Sequence, residues 1–297
     1  MARTGIEHGR EFELRGGPDA VLLLHGLTGS TFEMHVVARR LADTGMRCLA
    51  PVMAGHGGDP RDLLGVPWSE WIAKARRELG RLEGARRTFV VGCSMGALVA
   101  CALAHDHPER VDGLVLLAPA LELQLHGRLG ALLARLGPVS RIVVPKEAGS
   151  DVRDPEMRER NRAPTLGGVP LGAVAELAAL AAHVDRQLPG IAAPALVVAG
   201  ARDHTVTVGG ARRIARRIGS GPAELVVLED SWHLVGIDVE RDLCADVTAR
   251  FLTSLPVPGA RATPEPGRRT RGDDGARARE RSGGTRRRGP GWSPRAR

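Results

Sequence analysis

The sequence predicts an α/β fold: a mostly parallel sheet flanked by helices, with a small helical cap insertion over one end. Three observations carry that prediction. Apolar runs of strand length recur along the chain, stretches with helical spacing lie between them, and one interval is far longer than an ordinary crossover.

The runs are Val21 to Leu24, Arg47 to Ala50, Thr88 to Val91, Leu114 to Leu117, Ala195 to Ala199 and Leu225 to Leu228. They read as continuous Val/Leu stretches, as expected of parallel strands buried on both faces. Ile6 to Leu14 adds an antiparallel edge. Helices are expected at Phe32 to Thr44, Trp68 to Leu82, Met95 to His105, Gly210 to Ile218 and Asp238 to Leu255. In the last, Ile237, Leu243, Val247 and Phe251 are read as the stripe that faces the sheet. Each strand and helix pair fits a right-handed crossover.

About 75 residues separate the run ending near Ala118 from the one starting at Ala195. Leu129, Leu132, Leu133 and Leu136, then Arg153 to Arg160, then Leu171 to Val184, look helical, with prolines at 138, 145, 164 and 170 between them. The organisation expected is a core of residues 1–119 and 190–256, a helical cap of 120–189, and an Arg-rich tail of 257–297. The leucine stripe of the cap is read as a helix packed on the core, ahead of a lipid-facing surface.

The net charge of +8 resides in the tail, where twelve arginines from Pro256 onward face four acidic residues. The body is balanced, which removes the argument for a nucleic-acid protein. The tail, nearly devoid of apolar residues, is expected to be disordered. Phosphate contacts to nucleic acid or an acidic membrane through it rank no higher than a passive extension. With no Tyr and four Phe, the core is aliphatic. Cys48, Cys93, Cys101 and Cys244 are widely spaced, without CxxC or zinc-like spacing, so neither a disulfide framework nor a metal site is indicated. No signal peptide is read at the start, and no run approaches the length of a membrane span; a cytoplasmic setting is expected.

The motif that carries chemistry is Gly92-Cys93-Ser94-Met95-Gly96, between a strand and an Ala/Leu-rich helix. A GxSxG turn there strains the serine and lifts its hydroxyl above the sheet edge at a helix N-terminus. A serine hydroxyl is a poor nucleophile without a base, and the base needs a group to orient it. Asp203 and His233 each follow a strand, at the edge where parallel sheets gather functional groups, and the order Ser94, Asp203, His233 suits this topology. His204, beside Asp203, is the decoy. A tetrahedral intermediate needs donors for its oxyanion, and the backbone N–H groups of Leu27, in the strand-end loop His25 to Gly29, and of Met95 are the candidates. His25 is read as a buried brace for that loop, Gly55 to Gly58 as a structural turn, Cys93 and Cys101 as packed small hydrophobes, and Trp68 and Trp71 as core.

The runs HGLTG (25–29), APVMAGHG (50–57), GCSMG (92–96), GARDHTV (200–206) and DSWH (230–233) resemble those of the bacterial carboxylesterases and monoacylglycerol lipases of the α/β-hydrolase superfamily. The resemblance covers about residues 20–255. It implies an α/β-hydrolase fold, a Ser/Asp/His triad, a small-molecule ester substrate, an acyl pocket formed by a small cap, and no metal or organic cofactor. Trp232, the poorly matched cap and the tail depart from the pattern. A thioesterase, lactonase or carbon–carbon hydrolase on the same triad, or a non-catalytic ligand-binding protein of this fold, are the other readings.

Overall fold

The computed structural model describes residues 9–147 and 149–257, which belong to one compact unit. In chain order its strands are β1 (Phe12–Leu14), β2 (Asp19–Leu24), β3 (Arg47–Ala50), β4 (Arg87–Cys93), β5 (Gly113–Leu117), β6 (Val143–Pro145), β7 (Gly168–Pro170), β8 (Ala195–Gly200) and β9 (Glu224–Leu228). Seven form one sheet in the order β1-β3-β2-β4-β5-β8-β9. All its pairings are parallel except β1 with β3; of the stretch expected for that antiparallel edge, residues 6–8 lie outside the described residues, and Phe12–Leu14 form the strand. Strand β2 is buried throughout and β5 likewise, which is why their sequences show no alternation.

The core helices are α1 (His35–Asp43), α2 (Trp68–Gly80), α3 (Met95–Asp106), α7 (Val208–Arg217) and α8 (Arg241–Ser254); the insertion supplies α4 (Leu125–Leu133), α5 (Pro155–Arg162) and α6 (Leu171–Gln187). Residues Met95 to Ala104 of α3 are all buried, because this helix packs against the sheet, α2 and the insertion helix α6. It is accordingly hydrophobic on every side.

Three local departures from the sequence reading matter. The expected helix at Phe32 to Thr44 is split: a 3-10 turn, Thr31–Met34, precedes α1, and the Ser30 hydroxyl accepts the Phe32 N–H at 3.3 Å. The tighter turn carries both Phe32 and Glu33 inward. The last helix begins at Arg241, and of the stripe expected, Ile237 and Val247 are buried and Phe251 packs against the core, while Leu243 turns outward. Leu243 is 46% exposed, while Cys244, Val247, Thr248 and Leu252 form the buried face against α1 and β8. That set follows the i, i+3, i+4 geometry of a helix face, and Leu243 does not belong to it.

The third departure concerns the insertion. It contains helices where the Leu and Arg runs suggest them, but also an antiparallel ladder of β6 and β7. Each strand is three residues long and ends in proline, too short to show a period. The leucine stripe does not pack on the core: Leu129, Leu132, Leu133 and Leu136 are 51, 58, 49 and 63% exposed. The small side chains Ala131 and Ala134 face inward instead, letting α4 lie close to α6.

Of the tryptophans expected in the core, Trp71 is fully buried, and Trp68 is partly buried with its ring 4.6 Å from that of His183. The tail from residue 258 lies outside the described residues. Among the described residues no helix is long and apolar enough to cross a membrane.

The reassigned stripe of α8 gives a direct test. Leu252→Ala should cost about 3 kcal/mol of unfolding free energy, and Leu243→Ala should stay within about 0.5 kcal/mol of the parent. Urea denaturation of the two variants measures both.

Candidate active site

Strand β4 ends at Cys93 and α3 starts at Met95, so the whole reversal is made by Ser94. Its backbone sits at φ 53° and ψ −111°, a conformation that L residues rarely hold. The neighbours explain why glycines flank it. A Cβ at Gly92 would run into the Gly96 carbonyl group, and one at Gly96 into the carbonyl of Leu24 in β2. The Ser94 N–H donates to the Leu117 carbonyl at 2.8 Å, which pins the turn to the end of β5.

The acid and the imidazole arrive from the next two strands. Asp203 stands in the turn after β8, where its Oδ1 accepts the Thr205 and Val206 N–H groups at 2.7 and 2.9 Å. Its other oxygen meets His233 Nδ1 at 2.7 Å, and His233 Nε2 meets the Ser94 hydroxyl at 2.9 Å. The loop bearing His233 is tied down by the fully buried Asp238, whose carboxylate accepts the N–H of Trp232 at 2.6 Å and those of Arg153 and Asp154 at 2.8 and 2.9 Å. The structure therefore brings Ser94, Asp203 and His233 into one hydrogen-bonded line. His204 points elsewhere, with Nε2 3.5 Å from Asp151 and its ring edge-on to Trp232.

The loop from His25 to Gly29 presents four consecutive amides beyond the histidine. Gly26 donates to Glu33 Oε2 at 2.9 Å, Thr28 to His56 Nε2 at 3.1 Å and Gly29 to the Gly26 carbonyl at 3.2 Å. The Leu27 N–H has no such partner among the described residues. Met95, the first residue of α3, has an N–H that its own helix leaves open. Thr28 is the strained point of this loop, at φ 63°. Its hydroxyl accepts from Lys146 at 3.3 Å and its carbonyl from the Leu166 N–H at 2.9 Å, both in the insertion.

Two further imidazoles brace the loop. His25, fully buried, has Nδ1 2.9 Å from the Gly26 carbonyl and accepts the Met53 N–H on Nε2 at 3.0 Å. His56 has Nδ1 2.9 Å from the Ala54 carbonyl. Burial holds the first down to about 3 and the second down to about 4, so both stay neutral at pH 7. His233 behaves oppositely. Burial works against its charged form, but the carboxylate of Asp203, with Asp151 behind it, raises its pKa above the ordinary histidine value. Asp151 is itself buried, yet Lys146 at 2.5 Å and His204 keep it well below the usual carboxylate range. Burial pushes the thiol of Cys101 up to about 12 and that of Cys93 well above its usual range; neither is a reactive thiolate.

A cavity of about 460 Å³ opens over Ser94 and His233, a size suited to a small molecule. Its lining combines apolar side chains, Leu27, Leu123, Val169, Val174 and Leu177, with polar ones, His126, Lys146, Asp151, His204 and Thr205. Among the described residues no group of three or more His, Cys, Asp or Glu side chains is disposed to hold a metal ion. Sequence reasoning does not single out Glu33, His56, Lys146, Asp151 or Asp238 for this site. The nearest signal is the Gly-rich turn holding His56, which follows a strand.

A family model described as serine aminopeptidase, S33, matches residues 18–240. The chain belongs to that hydrolase family. It is 30% identical over 241 residues to a thermostable monoacylglycerol lipase of Bacillus sp. (strain H-257), covering 81% of this chain and 92% of the relative. To a carboxylesterase of Bacillus subtilis (strain 168) it is 26% identical, over 83% of this chain and 97% of that one. Among solved structures, one reported with the metagenome-derived lipolytic enzymes LipS and LipT superposes with a TM-score of 0.75 at 26% identity, covering 83% of this chain and 98% of the other. The fold of this S33 member is the α/β-hydrolase fold.

The neutral imidazoles set a pH dependence. His25 and His56 bind protons more weakly here than in the unfolded chain, where a histidine titrates near 6.5. Unfolding therefore takes up protons as the pH falls below about 6.5, and stability falls with it. The urea midpoint should drop from pH 7 to pH 5, and drop less in His56→Gln, whose amide oxygen can still accept the Thr28 N–H.

Proposed function

We propose that this chain is a serine hydrolase of carboxylic esters, of the carboxylesterase or monoacylglycerol lipase type, acting through an acyl-enzyme on Ser94. The observation that carries the reading is the unbroken line Asp203–His233–Ser94, at 2.7 and 2.9 Å, ending at a cavity lined by both apolar and polar side chains. The names of the two Bacillus relatives support the ester as the bond cleaved.

In the first half-reaction His233 Nε2 takes the Ser94 proton as Oγ attacks the ester carbonyl carbon. Asp203 accepts from Nδ1, which selects the tautomer whose Nε2 is free to act as base, and its charge stabilises the imidazolium that forms. The carbonyl oxygen, now an oxyanion, is held by the N–H groups of Leu27 and Met95. His233 then protonates the leaving alcohol, and the carbon–oxygen bond breaks. Water, deprotonated by the same imidazole, releases the acid and restores Ser94.

The insertion, residues 120–189, serves as the cap. It contributes Leu123, Val169, Val174 and Leu177, side chains suited to an acyl chain, and the polar Lys146 and Asp151 to the lining of the cavity. No residue of this scheme calls for a metal or organic cofactor.

Ser94→Ala should reduce hydrolysis of p-nitrophenyl esters at least about 1,000-fold and abolish labelling by a fluorophosphonate probe while leaving the thermal midpoint close to that of the parent. A variant that hydrolyses as fast as the parent would overturn the reading. Asp203→Asn should lose roughly as much in kcat with little change in KM.

A further inference from the structure

Glu33 is a buried acid that the catalytic scheme does not use, and it stands beside the nucleophile. It is 3% exposed, on the 3-10 turn before α1, and borders the cavity that holds Ser94 and His233. Its Oε2 accepts the Gly26 N–H at 2.9 Å. A Cβ at Gly26 would lie 3.2 Å from Ser94 Cβ and 3.3 Å from that same oxygen, so the carboxyl and the nucleophile flank one peptide. The carboxyl also fills the space that a side chain at Gly29 would need. It thus touches both ends of the loop that presents Leu27.

We propose that Glu33 is a positioning residue for the oxyanion loop, holding the Gly26 amide so that the neighbouring Leu27 N–H stays aimed over Ser94. The assignment rests on the ester-hydrolase reading of Ser94. Without Glu33 the Gly26 N–H has no acceptor, and the loop is free to turn that amide toward the substrate or to relax away from the strained Thr28.

The protonation state follows from the surroundings. The groups facing Glu33 are Lys146, His233, Asp151 and the Cys93 thiol. Lys146 is committed to Asp151 at 2.5 Å, and no ion pair to Glu33 occurs among the described residues. Burial accordingly pushes the acid up to about 7, against the opposing pull of the Gly26 N–H. A neutral carboxyl can accept the amide hydrogen bond without opposing the negative charge that builds on the substrate oxygen. Ionised, it would set a like charge beside that oxyanion in a site sheltered from water. The neutral acid is therefore the working form. Activity gains from the loss of a proton at His233 and declines with the loss of the proton at Glu33.

The test uses the full chain, with p-nitrophenyl butyrate as substrate and kcat and KM measured from pH 6 to pH 9. Glu33→Gln keeps an acceptor for the Gly26 N–H and removes the ionisation. Its ratio of kcat/KM at pH 9 to that at pH 7 should exceed the parent's ratio by at least about threefold. Glu33→Ala removes the acceptor and should lower kcat about 10- to 100-fold with KM changed less than about twofold. Should the alanine variant fail to fold, as judged by its circular dichroism melt, the pH ratio of the glutamine variant decides alone. An unchanged ratio in Glu33→Gln overturns the proposal. So does a folded Glu33→Ala variant that keeps its kcat or loses only in KM, which would make Glu33 a packing or substrate-binding group. Ser94→Ala runs alongside: if it retains activity, the ester-hydrolase reading of Ser94 fails, whereas loss of activity there with an unchanged Glu33→Gln ratio refutes Glu33 alone.

Discussion

The carboxyl edge of the sheet is arranged around a backbone that reverses direction within one residue, with no room for a side chain two positions before it or two positions after it. Ser94 holds φ 53° because β4 enters it and α3 leaves it while both stay in contact with β2 and β5. Strain of that kind costs of order 1–3 kcal/mol and persists only where the surroundings over-determine it. Here they do. An aliphatic core of strands and an α3 buried from Met95 to Ala104 fix the turn from below, and the ends of β2, β8 and β9 deliver the loop of Leu27, the acid and the imidazole around it.

The same residue type serves opposite ends within this edge. Three histidines, His25, His56 and His233, sit in one neighbourhood, and only the one with a carboxylate on its ring nitrogen is biased toward the cation. His25 and His56 have backbone partners alone, so desolvation decides and they remain neutral struts. A fixed neutral imidazole can donate on one nitrogen and accept on the other, which is what a loop with both a free carbonyl and a free amide requires.

Much of this architecture is legible in the chain. The strands declare themselves as continuous apolar runs, and the elbow, Asp203 and His233 each follow one of them. Leu27 can be proposed as an oxyanion donor from position alone, since a strand-end loop beside the elbow is where such an amide is expected. The remaining site residues have no local pattern. Glu33 and Asp238 act by accepting backbone N–H groups seven and six residues away, and Asp151 acts through an ion pair in the insertion. None of these partners is encoded by spacing. The stripe of α4, and Leu243 in that of α8, mislead for a different reason: apolar periodicity identifies a helix but not which arc is covered, and in α4 the small Ala131 and Ala134 take the inward positions.

The insertion does more than roof the cavity. The strained Thr28 receives one bond from Lys146 and another from Leu166, and the loop of His233 is joined to residues 151, 153 and 154 through the Leu234 N–H and Asp238. Such wiring makes the roof a poor candidate for modular exchange. A segment transplanted from a relative would arrive with its own lining but without the groups that Thr28 and Asp238 expect, leaving buried acceptors and donors unmatched next to the reacting atoms. Redesigning the cavity lining of this protein is therefore better done by replacing side chains such as Val174 and Leu177 on their existing backbone than by swapping the segment as a whole.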